Sequence, residues 1–180
     1  GRSLHWSMEN RAELEKMTAD NDITVSLLPP KFHPEVAEVC LRQLRPLVTT
    51  SYVSPGMAEL DEKAGKSGIL LLNEIGLDPG IDHMTAMKII DSIHNRGGKV
   101  DELWSICGAL PAPEAAGNPM KYKFTWSPAG VIQASRNGAH YLKSGKDIII
   151  DPVNLFKDRF MISFPEVGNL EVYPNGDSKS

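Results

Sequence analysis

Short apolar runs recur through the first half of this chain, and each is followed by a break and then by a stretch of helical spacing. The runs are Ile23-Thr-Val-Ser-Leu-Leu28, Leu47-Val-Thr-Thr-Ser-Tyr-Val53 and Gly68-Ile-Leu-Leu-Leu72. Their length and their apolar, partly β-branched make-up predict strands. Pro29 and Pro30 end the first, because proline has no amide to give to a ladder. Between Pro34 and Leu44, the residues Val36, Val39, Cys40 and Leu44 share one helical face. Ser54 and Pro55 supply an N-cap and a first-turn proline for a helix reaching about Lys66. After the third run, Asn73-Glu-Ile-Gly-Leu-Asp-Pro-Gly-Ile-Asp-His83 reads as a tight turn that opens a helix from about Pro79 to His94, with a glycine stop at Gly97 and Gly98. An exposed helix over residues 8–19 precedes them all. Strand–helix units in a row predict a parallel sheet with helices on its faces. In such sheets ligands bind outside the carboxyl ends of the strands, which is where Asp78 falls.

The pattern changes after Lys99. Glu102-Leu-Trp-Ser-Ile-Cys-Gly108 is predicted as a strand, followed by a Pro/Gly-rich loop from Leu110 to Pro119 and a helix from Ser127-Pro128 to about Arg136. Asp147-Ile-Ile-Ile150 and Asn169-Leu-Glu-Val-Tyr173 are predicted strands. This half reads as α+β, with the boundary in the helix over 80–99. A composition of 41% hydrophobic and 23% charged residues is that of a globular protein. A net charge of −4 without a basic patch gives no footprint for nucleic acid. Apolar runs fall short of the roughly 18 residues a membrane span needs. Cys40 and Cys107 form no metal or redox pair, which suits a reducing compartment. His5, His33, His94 and His140 show no ligand spacing, so no metal site is expected.

The string containing Leu77-Asp-Pro-Gly80 resembles a segment of the glutamate-forming saccharopine dehydrogenases, or saccharopine reductases. So do Ser26-Leu-Leu-Pro29, Val48-Thr-Thr-Ser-Tyr52, Cys107-Gly-Ala-Leu-Pro-Ala-Pro113, Asn118-Pro119, Tyr122-Lys-Phe-Thr-Trp-Ser127 and Tyr173-Pro-Asn175, in the family's order over residues 22–178. The resemblance implies an NAD(P)-dependent oxidoreductase of lysine metabolism, standing alone or within a bifunctional aminoadipic semialdehyde synthase. Such an enzyme interconverts saccharopine with glutamate and aminoadipate semialdehyde, reducing an imine with NADPH or running the oxidation with NAD(P). It implies the C-terminal half of a Rossmann-like dinucleotide-binding domain over residues 1–80. Residues 81–180 would begin an α+β substrate and dimerisation domain. Small-molecule substrates are the implied partners, a homodimer is compatible, and the cytoplasm or the mitochondrial matrix would house it.

Residue by residue, the resemblance puts Ser26, Leu27, Leu28 and Pro29 along the cofactor near its ribose. Leu77, Asp78 and Pro79 form the nicotinamide-side turn, and Ser51 with Tyr52 contacts substrate. Asp78, Tyr52 and Cys107 are the implied catalytic groups. Asp78 would hydrogen-bond or protonate the substrate amine, as acid–base chemistry requires a positioned group. Each has a plainer reading: Asp before Pro at a helix start is an ordinary N-cap, a Tyr in a half-buried strand is common, and a cysteine in a strand is usually a small buried hydrophobe. The chain also departs from the family. Gly176 stands in Asn175-Gly-Asp-Ser178 where the family has an arginine that pairs with a substrate carboxylate, and Pro30 stands where it has tyrosine. A G-x-G-x-x-G phosphate loop is not found in these residues, and a further Thr-Leu-Arg substrate segment would lie beyond residue 180. The stretch is expected to be the middle of a longer protein, inactive alone. The alternative is a non-catalytic binding module that kept the fold.

Overall fold

The computed structural model describes residues 3–174 and the backbone of residues 176–177; Asn175 and Ser178 of the Asn-Gly-Asp-Ser stretch lie outside the described residues. These residues fall into two compact units, Gly1–Ser105 and Ile106–Ser180.

The first unit contains the expected strand–helix units. Helix α1 (Arg11–Ala19) leads into β1 (Thr24–Ser26), α2 (His33–Arg42), β2 (Leu47–Thr49), α3 (Pro55–Ala58), α4 (Asp61–Ser67), β3 (Leu71–Leu72) and α5 (Ile81–His94). The strands form one parallel sheet in the order β1-β2-β3, with Ser26 level with Thr49 and Val48 level with Leu72. This register aligns the carboxyl ends of the strands along one edge. Ser54 accepts the Met57 amide at 3.3 Å and Pro55 follows it, so the helix begins where its capping residues predict. The single helix expected to Lys66 is instead two, α3 and α4. α4 ends on Gly68 in the left-handed region at φ 65°. Leu44 lies past the end of α2, exposed and at φ 53°, rather than on its apolar face.

Hydrophobic burial concentrates in one cluster: Leu14 of α1, Val36, Ala37, Val39 and Cys40 of α2, Leu47 of β2 and Met57 of α3. Trp6, Met8, Leu28, Leu60 and Leu71 pack around it. The surface ion pairs Arg11–Glu35 and Arg42–Glu15, at 2.7 and 2.8 Å, add little beside this burial, because water screens them. Helix α5 has no buried residue, and Ile81, Met84 and Met87 stand largely exposed on it.

In the second unit, helix α6 (Pro128–Ala134) precedes the hairpin β4 (Ala139–Lys143) and β5 (Lys146–Ile150). Ser144 and Gly145 both have positive φ, 52° and 72°, which matches the right-handed twist of the flanking strands. β6 (Phe160–Phe164) and β7 (Gly168–Val172) form a second antiparallel pair, and β8 (Gly176–Asp177) runs parallel to β4. Residues 102–108 are not a strand. Their apolar alternation meets strand propensity, but extended backbone becomes a strand only when a neighbour completes its ladder, and among the described residues none does.

Leu47 is fully buried beneath the sheet's covering helices. Leu47→Ala is therefore expected to cost about 2–5 kcal/mol, the range for emptying a packed leucine site. A shift in urea midpoint worth less than about 1 kcal/mol would show that this cluster is not the organising core.

Candidate functional site

The site grows from the open end of β2. Beyond Thr49 the backbone stays tied to the chain leaving β3: the Ile75 amide donates to the Thr49 carbonyl at 3.0 Å, and the Glu74 amide to the Ser51 carbonyl at 3.1 Å. Side chains add to this seam. The Thr49 hydroxyl donates to Asn73 Oδ1 at 3.0 Å, and the Val53 amide donates to Glu74 Oε1 at 3.0 Å. Glu74 adopts φ 63°, a conformation that disfavours a side chain, and its carboxylate bond is one contact that holds it there.

The chain then closes a small loop. The Gly76 amide donates to the Pro79 carbonyl at 2.8 Å and the Ile81 amide to the Gly76 carbonyl at 2.9 Å, while Asp82 Oδ1 accepts the Gly80 amide at 2.9 Å. Gly80 sits at φ 147°, where an added Cβ would collide with the backbone of Gly76. The outcome is that Asp78 is held out over the end of β2, where its Oδ1 accepts the Tyr52 hydroxyl at 3.0 Å.

This geometry corrects one sequence expectation. Helix α5 starts at Ile81 with Gly80 in the capping position, so Asp78 is not its N-cap. The carboxylate is instead engaged with a phenol from the neighbouring strand end. Desolvation, then the charge of Asp78 and its hydrogen bond, then the charges of Asp82 and Glu74, push the Tyr52 phenol up to about 12. Tyr52 is 62% exposed, so the pair is open to solvent and to a ligand. Three carboxylates around one neutral hydroxyl form a surface that accepts hydrogen bonds and favours a cation.

Beside this pair lies a second polar group. His33, at the start of α2, is 2% exposed, with Nδ1 at 3.0 Å from Ser26 Oγ and Nε2 at 2.9 Å from Ser51 Oγ. The imidazole thus spans the ends of β1 and β2. Ser26 is buried, Leu28 is half-buried, and Leu27 and Pro29 are exposed along the sheet's carboxyl edge; Leu27 is 74% exposed. Across that edge, Leu77 is exposed and Pro79 buried within the Gly76–Gly80 loop. An apolar ledge on the β1 side and the Gly76–Gly80 loop on the β3 side thus stand at the edge where parallel sheets bind ligands.

The first unit therefore gathers Ser26, Leu27, Leu28, Pro29, Ser51, Tyr52, Leu77, Asp78 and Pro79 on one sheet edge. Cys107 belongs to the second unit, in irregular backbone and exposed, so the expected buried strand cysteine is corrected on both counts. His33 and Glu74 escaped the sequence reading. A histidine three residues past Pro30 carries no sequence pattern that announces a buried bridge. Among the described residues no group of three His, Cys, Asp or Glu is placed to hold a metal ion, and no helix is long and apolar enough to cross a membrane.

Two family models match the chain. One is described as the saccharopine dehydrogenase NADP binding domain, over residues 3–72, and the other as the saccharopine dehydrogenase C-terminal domain, over residues 76–180. A saccharopine dehydrogenase [NADP(+), L-glutamate-forming] from Saccharomyces cerevisiae is 48% identical over 180 residues, covering 98% of this chain and 40% of that protein. The protein of the same name from Pyricularia oryzae is 51% identical, covering 97% of this chain and 39% of its own length. An alpha-aminoadipic semialdehyde synthase from Arabidopsis thaliana is 46% identical, over 98% of this chain and 17% of that protein. The solved apo saccharopine dehydrogenase (L-Glu forming) from Saccharomyces cerevisiae superposes with a TM-score of 0.84 at 42% identity, over 99% of this chain and 40% of its own. The chain thus spans about 40% of the length of the first of these curated relatives.

Asp78→Asn removes the neighbouring charge but keeps the shape. The Tyr52 phenol is then expected to titrate closer to the ordinary tyrosine value near ~10. Ultraviolet difference titration, with Tyr52→Phe identifying the signal, measures this. A raised folded value also means that the pair supports the fold fully below about pH 10 and loses that support as pH climbs toward 12. An unchanged titration in Asp78→Asn would remove the carboxylate as a cause.

Proposed function

This chain belongs to the saccharopine dehydrogenase family, and we propose that it is the central portion of an NADP-dependent, glutamate-forming saccharopine dehydrogenase of lysine metabolism. The observation that carries the proposal is the Tyr52–Asp78 pair, held over the carboxyl edge of the parallel sheet within the segment the family models match. NADP, when bound, supplies or takes the hydride at the carbon of the C–N bond. The residues of this chain bind and handle protons. Asp78, with Glu74 and Asp82 nearby, favours the protonated secondary amine of saccharopine. The Tyr52 hydroxyl, neutral at ordinary pH, donates to Asp78 and fixes which carboxylate oxygen faces the substrate nitrogen. Asp78 then takes or returns the proton at that nitrogen as the C–N bond changes order. The ledge from Ser26 to Pro29 and the turn from Leu77 to Pro79 flank the dinucleotide, and Ser51 contacts substrate beside Tyr52.

In the longer polypeptide that carries this segment, NADPH absorbance in the presence of saccharopine reports turnover directly. Asp78→Asn is expected to lower kcat about a hundredfold or more, the scale of general acid–base contributions. Its fold should be kept, because Asp78 caps no helix. Tyr52→Phe should lower kcat by less, since the carboxylate remains. Wild-type turnover in Asp78→Asn would reject the catalytic role.

One observation favours a second reading, a binding module that no longer turns saccharopine over. Gly176, in β8, stands where the family resemblance expects an arginine for a substrate carboxylate. If the enzyme reading holds and that clamp is missing, Gly176→Arg in the longer polypeptide should lower the KM for saccharopine about tenfold or more and leave that for NADP unchanged. A KM that stays put means that another group already holds the carboxylate or that the substrate differs.

A further inference from the structure

We propose that His33 is a positioning residue that turns the Ser51 hydroxyl into a fixed donor aimed at a carboxylate of the substrate. The proposal rests on the enzyme reading above for the identity of that substrate. Its starting point is proton accounting within the buried bridge. A neutral imidazole has one N–H and one lone pair. His33 is 2% exposed, and desolvation lowers its proton affinity below the ordinary histidine value, so the neutral ring is the resident form.

The two tautomers differ in what they leave over. If Nδ1 carried the hydrogen, Ser26 would accept it and its own O–H would need a second acceptor. Ser26 is buried, and among the described residues its side-chain hydrogen bond is to His33. A buried donor without a partner is costly. With the hydrogen on Nε2, nothing is orphaned. Ser26 O–H donates to Nδ1, Nε2–H donates to Ser51 Oγ, and Ser51 O–H is left to donate outward. The direction set at Ser26 therefore passes through the ring to the half-buried Ser51. That hydroxyl has spent acceptor capacity on His33 and offers a proton, which suits an anionic acceptor. The adjacent Tyr52–Asp78 pair offers the opposite polarity, a carboxylate for a cationic amine. Consecutive residues Ser51 and Tyr52 thereby sort the two kinds of charge an amino-acid adduct carries.

The test uses the longer polypeptide with isotope-labelled histidine. Imidazole nitrogen NMR should show His33 as a single tautomer, with Nδ1 in the lone-pair range and Nε2 in the N–H range, and Ser51→Ala should move Nε2 far more than Nδ1. The reverse tautomer, or a ring that titrates like free histidine, overturns the proposal without reference to any activity. The second arm is kinetic. Glutamine can place an amide N–H near the position of Nε2, whereas asparagine reaches only that of Nδ1. His33→Gln should therefore hold the KM for saccharopine close to wild type. His33→Asn and Ser51→Ala should each raise it about tenfold or more, with the KM for NADP unchanged. Equal KM values for His33→Gln and His33→Asn overturn it. If the wild-type protein does not turn over saccharopine, the enzyme reading fails, and the nitrogen signals still decide the wiring of His33.

Discussion

The seam between the end of β2 and the chain leaving β3 governs the site. Two backbone hydrogen bonds, Ile75 to Thr49 and Glu74 to Ser51, tie the two segments together past the point where the regular strands stop. Backbone amides are obligatory hydrogen-bonding groups, so this seam is bound by the same requirement that binds the sheet itself. Once it forms, the Gly76–Gly80 loop has one place to close, and closure puts Asp78 within 3.0 Å of the Tyr52 hydroxyl. The bridge of His33 between Ser26 and Ser51 ties β1 to the same edge. The polar groups described around Ser51, Tyr52 and Asp78 thus take their positions from loops tied together at the sheet edge.

Different polarities coexist within a few residues: Ser51 and Tyr52 meet different surroundings although they are neighbours in sequence. Ser51 meets a buried imidazole; Tyr52 meets an acidic loop. Burial favours the neutral form of the His33 imidazole, and burial, followed by the nearby carboxylates, does the same for the Tyr52 phenol.

Much of the first unit could be read from the chain because its signals are local. Ile23–Leu28, Leu47–Val53 and Gly68–Leu72 are apolar runs bounded by proline, serine or glycine, and each contains an observed strand, shorter than the run. Ser54 and Pro55 carried their own capping signal. What stayed hidden depends on partners distant in sequence. Residues 102–108 have strand propensity, yet a ladder needs a neighbour that propensity does not supply. β4 and β6 are strands that the sequence analysis does not mark, and each is completed by its hairpin partner. Asp78 was legible as important but not as to why. Asp-Pro points to a helix cap, and only the fold shows that the helix starts at Ile81. His33 was illegible for the same reason: its meaning lies in two serines at sequence separations of 7 and 18.

Gly80 bears on how variation at this site should be interpreted. At φ 147°, with no room for a Cβ, it is excluded from every substitution by geometry alone. Under the proposed function, a survey of tolerated mutations would rank it beside Asp78. The two losses have different origins. One removes a charge from an intact loop, and the other removes the loop. Replacing Gly80 would remove the loop that holds Asp78, so intolerance here would record architecture, and only a variant that keeps its melting behaviour can report on what the Asp78 carboxylate does.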